Sequence, residues 1–148
     1  MFGYAGRVLH VDLTTGKTYT EPLNEEFAKK YIGGMGLGMR LWLENSKPKI
    51  DPFDPENPLV VANGPISGTM WPTGGNGHTF VSKSPQSFGL GEAKAHGTFG
   101  TELKRAGYDA VIIKGKAEKP VYMWIDDDSV QLLDASGLMG KSPGETED

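Results

Sequence analysis

Gly97-Thr98-Phe99-Gly100-Thr101-Glu102-Leu103-Lys104-Arg105-Ala106-Gly107-Tyr108-Asp109-Ala110-Val111-Ile112-Ile113 sets the fold class. Phe99, Leu103 and Ala106 fall at i, i+4 and i+7, the spacing of one helical face. Gly107 is a natural residue just past a helix end. Val111-Ile112-Ile113 is a short β-branched run, so a helix over about 97–106 feeds a strand. Working outward, Val121-Tyr122-Met123-Trp124-Ile125 and Val130-Leu132-Leu133 read as further strands, joined by a turn at Asp126-Asp127-Asp128-Ser129. Residues 7–21 read as a hairpin around Thr14-Thr15-Gly16-Lys17. Asn24 is a helix N-cap, with Leu23 placed to staple onto Ala28. Phe27, Ala28, Tyr31 and Ile32 share one face of that helix, which Gly33 can close. A second helix is expected over about Leu37 to Glu44, and short strands at Leu59–Ala62 and Thr79–Val81. The four prolines at 48, 52, 55 and 58 mark a stiff surface connection. The sum is α+β, with the sheet dominant, in a single domain of 148 residues.

Composition narrows the function. The chain carries 15 Lys+Arg against 19 Asp+Glu, a net charge of −4. That balance argues against general binding of nucleic acid or anionic membranes, which require a positive field. With no cysteine, disulfides, thiolate zinc sites and cysteine-held iron–sulfur clusters cannot form on this chain. No apolar run approaches the length of a membrane span, and the first residues lack the pattern of a signal peptide. The cytoplasm is the expected compartment. Glycine is the outlier at 21 residues, about twice its usual share of roughly 7%.

Two glycine-rich segments carry the candidate chemistry. The first is Gly64-Pro65-Ile66-Ser67-Gly68-Thr69 followed by Pro72-Thr73-Gly74-Gly75-Asn76-Gly77-His78; the second is Ala93-Lys94-Ala95-His96-Gly97-Thr98-Phe99-Gly100. At the second, unpaired N–H groups and the positive end of the following helix attract an anion, and Gly97 and Gly100 allow close approach. Lys94, and His96 when protonated, would add positive charge. A phosphate or a phosphorylated cofactor suits such a site. Simple helix-on-sheet packing explains the same two glycines equally well.

Other motifs fail on inspection. Gly34-Met35-Gly36-Leu37-Gly38 lacks G-x-G-x-x-G spacing and follows a helix, so a helix–helix corner is expected for the glycines at 33–38. There is no P-loop and no G-x-S-x-G elbow. His10, His78 and His96 have no metal-ligand spacing, and His10 reads as structural or solvated. The acidic run at 126–128 reads as a solvated turn. Trp42, Trp71 and Trp124 read as core residues, although Trp71 beside a glycine-rich loop could line a pocket. Ser142-Pro143-Gly144-Glu145 has the signature of a helix start, with only three residues after it, as if the chain continued.

The order of motifs resembles one family. Gly6-Arg7-Val8-Leu9-His10-Val11-Asp12-Leu13-Thr14-Thr15-Gly16 is followed by Asp51-Pro52-Phe53-Asp54-Pro55-Glu56-Asn57, Gly64-Pro65-Ile66-Ser67-Gly68-Thr69 and Pro72-Thr73-Gly74-Gly75. Ser82-Lys83-Ser84-Pro85, then residues 97–110, Gly115-Lys116-Ala117-Glu118-Lys119-Pro120-Val121-Tyr122 and Asp134-Ala135-Ser136 complete it. Over essentially its whole length the chain resembles the N-terminal domain of the tungsten-containing aldehyde:ferredoxin oxidoreductases.

The resemblance implies a β-rich base domain built from two similar halves, of which residues 1–148 hold one and lack the second. It implies a fragment of a longer enzyme that oxidises aldehydes to carboxylic acids and passes electrons to ferredoxin. Tungsten, or molybdenum in some relatives, is held there by two pterin cofactors whose phosphates a magnesium ion bridges. The four-iron–four-sulfur cluster and the acid–base residues belong to the missing domains, so no catalytic residue is expected here. Cofactor contacts are expected at Gly74, Gly75, Asn76 and Gly77 on one loop, and at Lys94, Ala95, His96 and Gly97 on another, with magnesium on the Lys94 main-chain carbonyl. Two departures stand out. Asn76 replaces a frequent pterin-holding arginine, with Lys94 available to compensate, and Lys94-Ala95-His96-Gly97 replaces a frequent Asn-Ser-Gly-Gly. Relatives with other substrates, including acyl-thioester reductases, share this domain. The alternative is a stand-alone pterin-binding or assembly module without activity. Neither reading involves nucleic acid or membrane, and self-association through uncovered apolar surface is expected of a fragment.

Overall fold

The computed structural model describes residues 1–70 and 75–147. Strands β1 (Arg7–Asp12) and β2 (Lys17–Pro22) form the expected hairpin, followed by helices α1 (Glu25–Tyr31) and α2 (Gly34–Asn45). Then come β3 (Leu59–Asn63), β4 (His78–Lys83), β5 (Leu90–Ala95), α3 (Thr98–Arg105) and β6 (Ala110–Lys114). A second hairpin, β7 (Val121–Asp126) and β8 (Ser129–Asp134), precedes a 3-10 turn (Ser136–Leu138) and α4 (Pro143–Glu147).

Six strands make one mixed sheet in the order β2-β1-β6-β3-β4-β5, with β1 and β6 parallel and the other pairs antiparallel. Alternation along the strands divides the core between its two faces. Val8, Val60, Ala62, Val81, Ala110 and Ile112 pack against Ala28, Leu37 and Leu41 of α1 and α2. Leu9, Val11, Val61 and Val111 pack on the opposite face against Leu103 of α3, with Met123, Ile125, Val130 and Leu132 of the second hairpin behind. The result is helices, sheet, then helix plus hairpin. It is α+β, as expected.

Local signals hold where they are strong. Asn24 Oδ1 accepts from Phe27 N at 3.0 Å, and Leu23 joins Ala28 in one core cluster. The Ser142–Glu145 capping box forms, with Ser142 N and Oγ donating to Glu145 Oε2 at 2.8 and 2.7 Å. Gly107 sits at φ +95°, just past α3.

Three expectations need correction. The glycines at 33–38 are a corner only at their start: Gly33 lies in the turn between α1 and α2, and α2 begins at Gly34, three residues before the expected start. Bare backbone is needed there because α2 lies hard on the sheet. A Cβ on Gly38 would sit 2.8 Å from Val81 Cγ2, and one on Gly33 2.6 Å from Gly64 Cα. Leu90–Ala95, read in part as a loop, is the edge strand β5. Trp124 is not core but 55% exposed, on the outward side of β7. The acidic turn is exposed, as expected, and it is tethered to the domain: Asp128 pairs with Arg7, and Asp127 O accepts from Tyr108 Oη at 2.9 Å. His10 is structural, being 7% exposed and stacked on Tyr19 at 4.5 Å.

A buried ion pair ties these layers. Asp109 is fully buried and Lys104, on α3, pairs with it. Removing one partner of such a pair strands a charge in the interior, which costs about 3–5 kcal/mol. Lys104→Met is therefore expected to lower stability by about that amount in urea unfolding. A loss below about 1 kcal/mol would show that the pair is not structurally important.

Candidate functional site

The ends of β3, β4 and β5 meet the start of α3 at one end of the sheet. Asn63 lies opposite His78 in the β3–β4 ladder, and His78 opposite Ala95 in the β4–β5 ladder. Gly100, in the first turn of α3, rests on both polar side chains. Asn63 Nδ2 donates to Gly100 O at 3.0 Å, and a Cβ on Gly100 would sit 3.0 Å from both Asn63 Oδ1 and His78 Nδ1. Phe99 and Phe80 flank the imidazole at 5.1 and 5.3 Å between ring centroids.

The first glycine-rich loop is pinned over this platform. Ser67 Oγ donates to Gly77 O at 2.9 Å and accepts from Gly64 N at 3.1 Å. Gly75 O accepts from Gly68 N at 2.5 Å and from Thr101 Oγ1 at 3.2 Å. Lys104 Nζ reaches Gly64 O at 3.3 Å. The second segment comes alongside, since a Cβ on Gly77 would sit 3.6 Å from His96 Nε2. Gly97 precedes α3 at φ +117°, a conformation open to glycine and strained for other residues. Space is open on its Cβ side, and no side chain caps the helix start. With no acidic residue in the first turn and no side-chain cap, the N–H groups at the start of α3 present a positive helix end of the kind that attracts anions.

Of the expected site residues, Gly75, Asn76, Gly77, Ala95, His96 and Gly97 come together. Gly74 lies outside the described residues, as do Trp71, Pro72 and Thr73. Lys94 and Ala95 belong to strand β5 and not to a loop. Lys94 pairs with Thr79, so its side chain shares the α2 face of the sheet, away from His78. There its Nζ lies 3.4 Å from Glu92 Oε1. Its ammonium is thus not at the start of α3, and only its main chain borders the site. Asn63, Ser67 and His78 were legible only as polar residues in a turn segment; their convergence on Gly100 is tertiary. Among the described residues, no group of three or more His, Asp or Glu is placed to hold a metal ion. Two grooves of about 230 and 220 Å³ lie elsewhere, one between α3 and β7 and one beside His10 and Tyr19.

Burial pushes the His78 imidazole below its ordinary value of 6.5; contact with the Asn76 backbone opposes this, and neighbouring His96 adds to it. A histidine depressed on folding binds its proton more readily in the unfolded chain. Its share of stability is therefore present above pH 6.5 and falls as the pH drops below it. His78→Gln is expected to flatten the stability–pH curve below pH 6.5, by unfolding measurements at a series of pH values. An unchanged slope would contradict the assignment. Gly100→Ala should cost about 1–3 kcal/mol through overpacking, and a neutral effect in the same assay would contradict the close contact.

Known proteins place the chain. The family profile described as "Aldehyde ferredoxin oxidoreductase, N-terminal domain" matches residues 8–148. A tungsten-containing aldehyde ferredoxin oxidoreductase of Pyrococcus abyssi is 50% identical over 147 residues, covering 99% of this chain and 24% of that protein. An aliphatic sulfonate oxidoreductase, WOR-like subunit, of Pyrococcus furiosus is 43% identical over 95% of this chain and 22% of that protein. Among solved structures, the active site complex BamBC of benzoyl coenzyme A reductase, in complex with 1,5-dienoyl-CoA, superposes with a TM-score of 0.93. It is 36% identical and matches 99% of this chain and 22% of the other. The chain spans about a quarter of the length of the curated oxidoreductases it matches. Matched along nearly its whole length, it belongs to the aldehyde ferredoxin oxidoreductase family, as an N-terminal domain of that family.

Proposed function

We propose that this domain is the cofactor-positioning part of an oxidoreductase that oxidises aldehydes to carboxylic acids with ferredoxin as electron acceptor. The observation that carries the reading is the backbone cradle formed by Gly75–Gly77 and Ala95–Gly97 at the uncapped start of α3. Its chemistry fits a phosphate-bearing pterin. Glycines at 77 and 97 leave the backbone accessible, and N–H groups at the helix start supply donors for an anion without a fixed cation. Asn76, exposed on the loop, contributes a neutral amide where an arginine would supply charge. When bound, the tungsten bis-pterin would supply the two-electron redox chemistry, and the Lys94 main-chain carbonyl would be the contact for an accompanying magnesium ion.

The chain's own residues act as scaffold. Gly97 and the first turn of α3 bind and orient the anionic end of the cofactor. Asn63, His78 and Gly100 fix that turn against the sheet, and Ser67 and Thr101 hold the opposite loop at a set height. Among the described residues of this cradle, none is assigned a proton transfer to substrate. Catalysis therefore belongs to the full-length protein, and the 148-residue chain by itself is expected to show no ferredoxin-coupled aldehyde oxidation. Turnover by the purified chain would overturn that. In a full-length family enzyme carrying this domain, a valine at Gly97 should reduce bound tungsten and pterin together by about tenfold. Metal analysis and pterin fluorescence read this directly, and full cofactor content in Gly97→Val would refute the cradle.

A further inference from the structure

The dipeptide Asn-Gly occurs twice in the chain, at Asn63-Gly64 and at Asn76-Gly77. A side-chain amide is lost most easily in this sequence. Glycine has no Cβ to shield its own main-chain nitrogen, and its backbone turns freely enough to bring that nitrogen onto the asparagine side chain. The fold treats the two pairs in opposite ways.

Asn63 ends β3 and is 1% exposed. Its Nδ2, the group that would leave, donates to Gly100 O at 3.0 Å. Gly64 N, the group that would attack, donates to Ser67 Oγ at 3.1 Å, and Asn63 N donates to Asp109 O at 2.8 Å. Ring closure there would break several buried hydrogen bonds at once. Asn76 is exposed, in the turn before β4. Among the described residues, none accepts from Gly77 N and none bonds to the Asn76 side chain. Both the attacking and the leaving nitrogen are therefore unrestrained at Asn76.

We propose that Asn76-Gly77 is a self-modification site: in the unloaded domain Asn76 turns into aspartate and isoaspartate, and the modified cradle rejects an anionic cofactor. Gly77 N attacks Asn76 Cγ, and a bond between them forms as the Cγ–Nδ2 bond breaks. The Gly77 N–H proton leaves with the side-chain nitrogen as ammonia, and a five-membered succinimide remains. Water then opens the ring, at Cγ to give aspartate or at the main-chain carbonyl to give isoaspartate. The step needs water and no oxidant or reductant. Either product places an ionised carboxylate in the loop, which meets a phosphate with like charge. The Lys94 ammonium, on the α2 face of the sheet, is not there to neutralise it. Isoaspartate also lengthens the main chain by one carbon and so displaces Gly77, whose carbonyl Ser67 Oγ holds at 2.9 Å. The conversion itself is independent of the cofactor reading, and its effect on binding rests on that reading.

Holding the chain at mildly alkaline pH and following the peptides that carry Asn63 and Asn76 by mass spectrometry tests the conversion. In the folded chain Asn76 should convert at least about tenfold faster than Asn63. In urea, where the fold no longer protects Asn63, the two rates should converge. Asn76→Gln, whose longer side chain disfavours ring closure, should stay intact at that position. Amide-resolved NMR titration with a pterin monophosphate tests the consequence. Asn76→Asp should bind at least about tenfold more weakly than the freshly prepared chain, and its amide spectrum shows whether the fold is kept. An Asn76 that persists as long as Asn63 in the folded chain would overturn the modification site. Equal binding by a folded Asn76→Asp would overturn its effect on the cradle. A fresh chain that binds no pterin would refute the cofactor reading, and that effect with it, and would leave the conversion at Asn76 standing.

Discussion

One buried carboxylate holds the parts of this domain in place. Asp109 accepts from Ala5 N at 3.1 Å and Gly6 N at 2.6 Å, and pairs with Lys104. Its main chain continues the same bridge: Asp109 N donates to Arg7 O, and Asp109 O accepts from Asn63 N. Lys104 in turn reaches Gly64 O and lies over the Tyr4 ring at 5.3 Å. The N-terminal segment, the end of β3, the loop after it, the last turns of α3 and the start of β6 thus meet at one charge pair. A charge so deep is tolerable only because every side of it is bonded. Its consequence is that α3 cannot shift along the sheet without breaking several of these contacts.

That constraint positions the cradle. With α3 fixed at its C-terminal end, its first turn is set down on Asn63 and His78, and Gly100 is the residue that lets it come so close. The glycine-rich loop is then held between Ser67 and Thr101. The site is made of backbone, and side chains serve mainly to fix its position. Such a backbone surface is what the proposed cofactor-positioning role calls for.

Legibility followed locality. The β1–β2 hairpin, α3 with Gly107 behind it, and strands β6 to β8 could be read because apolar periodicity and turn residues sit within a few positions of one another. β5 could not be read fully: Gly91, Glu92, Ala93 and Lys94 have poor strand propensity, and only pairing with β4 makes them a strand. The start of α2 was hidden for the same kind of reason: Gly34, Gly36 and Gly38 argue against helix locally, yet Gly34 and Gly38 face the sheet closely and Gly36 lies against Tyr31 O at the end of α1. In the cradle, Gly97 was legible from its position before an amphipathic helix. The side on which Lys94 falls was not, since it depends on strand register, and the meeting of Asn63, His78 and Gly100 joins three elements distant in sequence.

The central claim is that the backbone around Gly75–Gly77 and Ala95–Gly100 binds a phosphate-bearing pterin. Amide-resolved NMR of the chain during titration with a pterin monophosphate tests it most directly. The account predicts saturable shifts concentrated at Asn76, Gly77 and residues 97–100. Shifts confined to the groove beside His10 and Tyr19, or no shifts at saturating ligand, would contradict it.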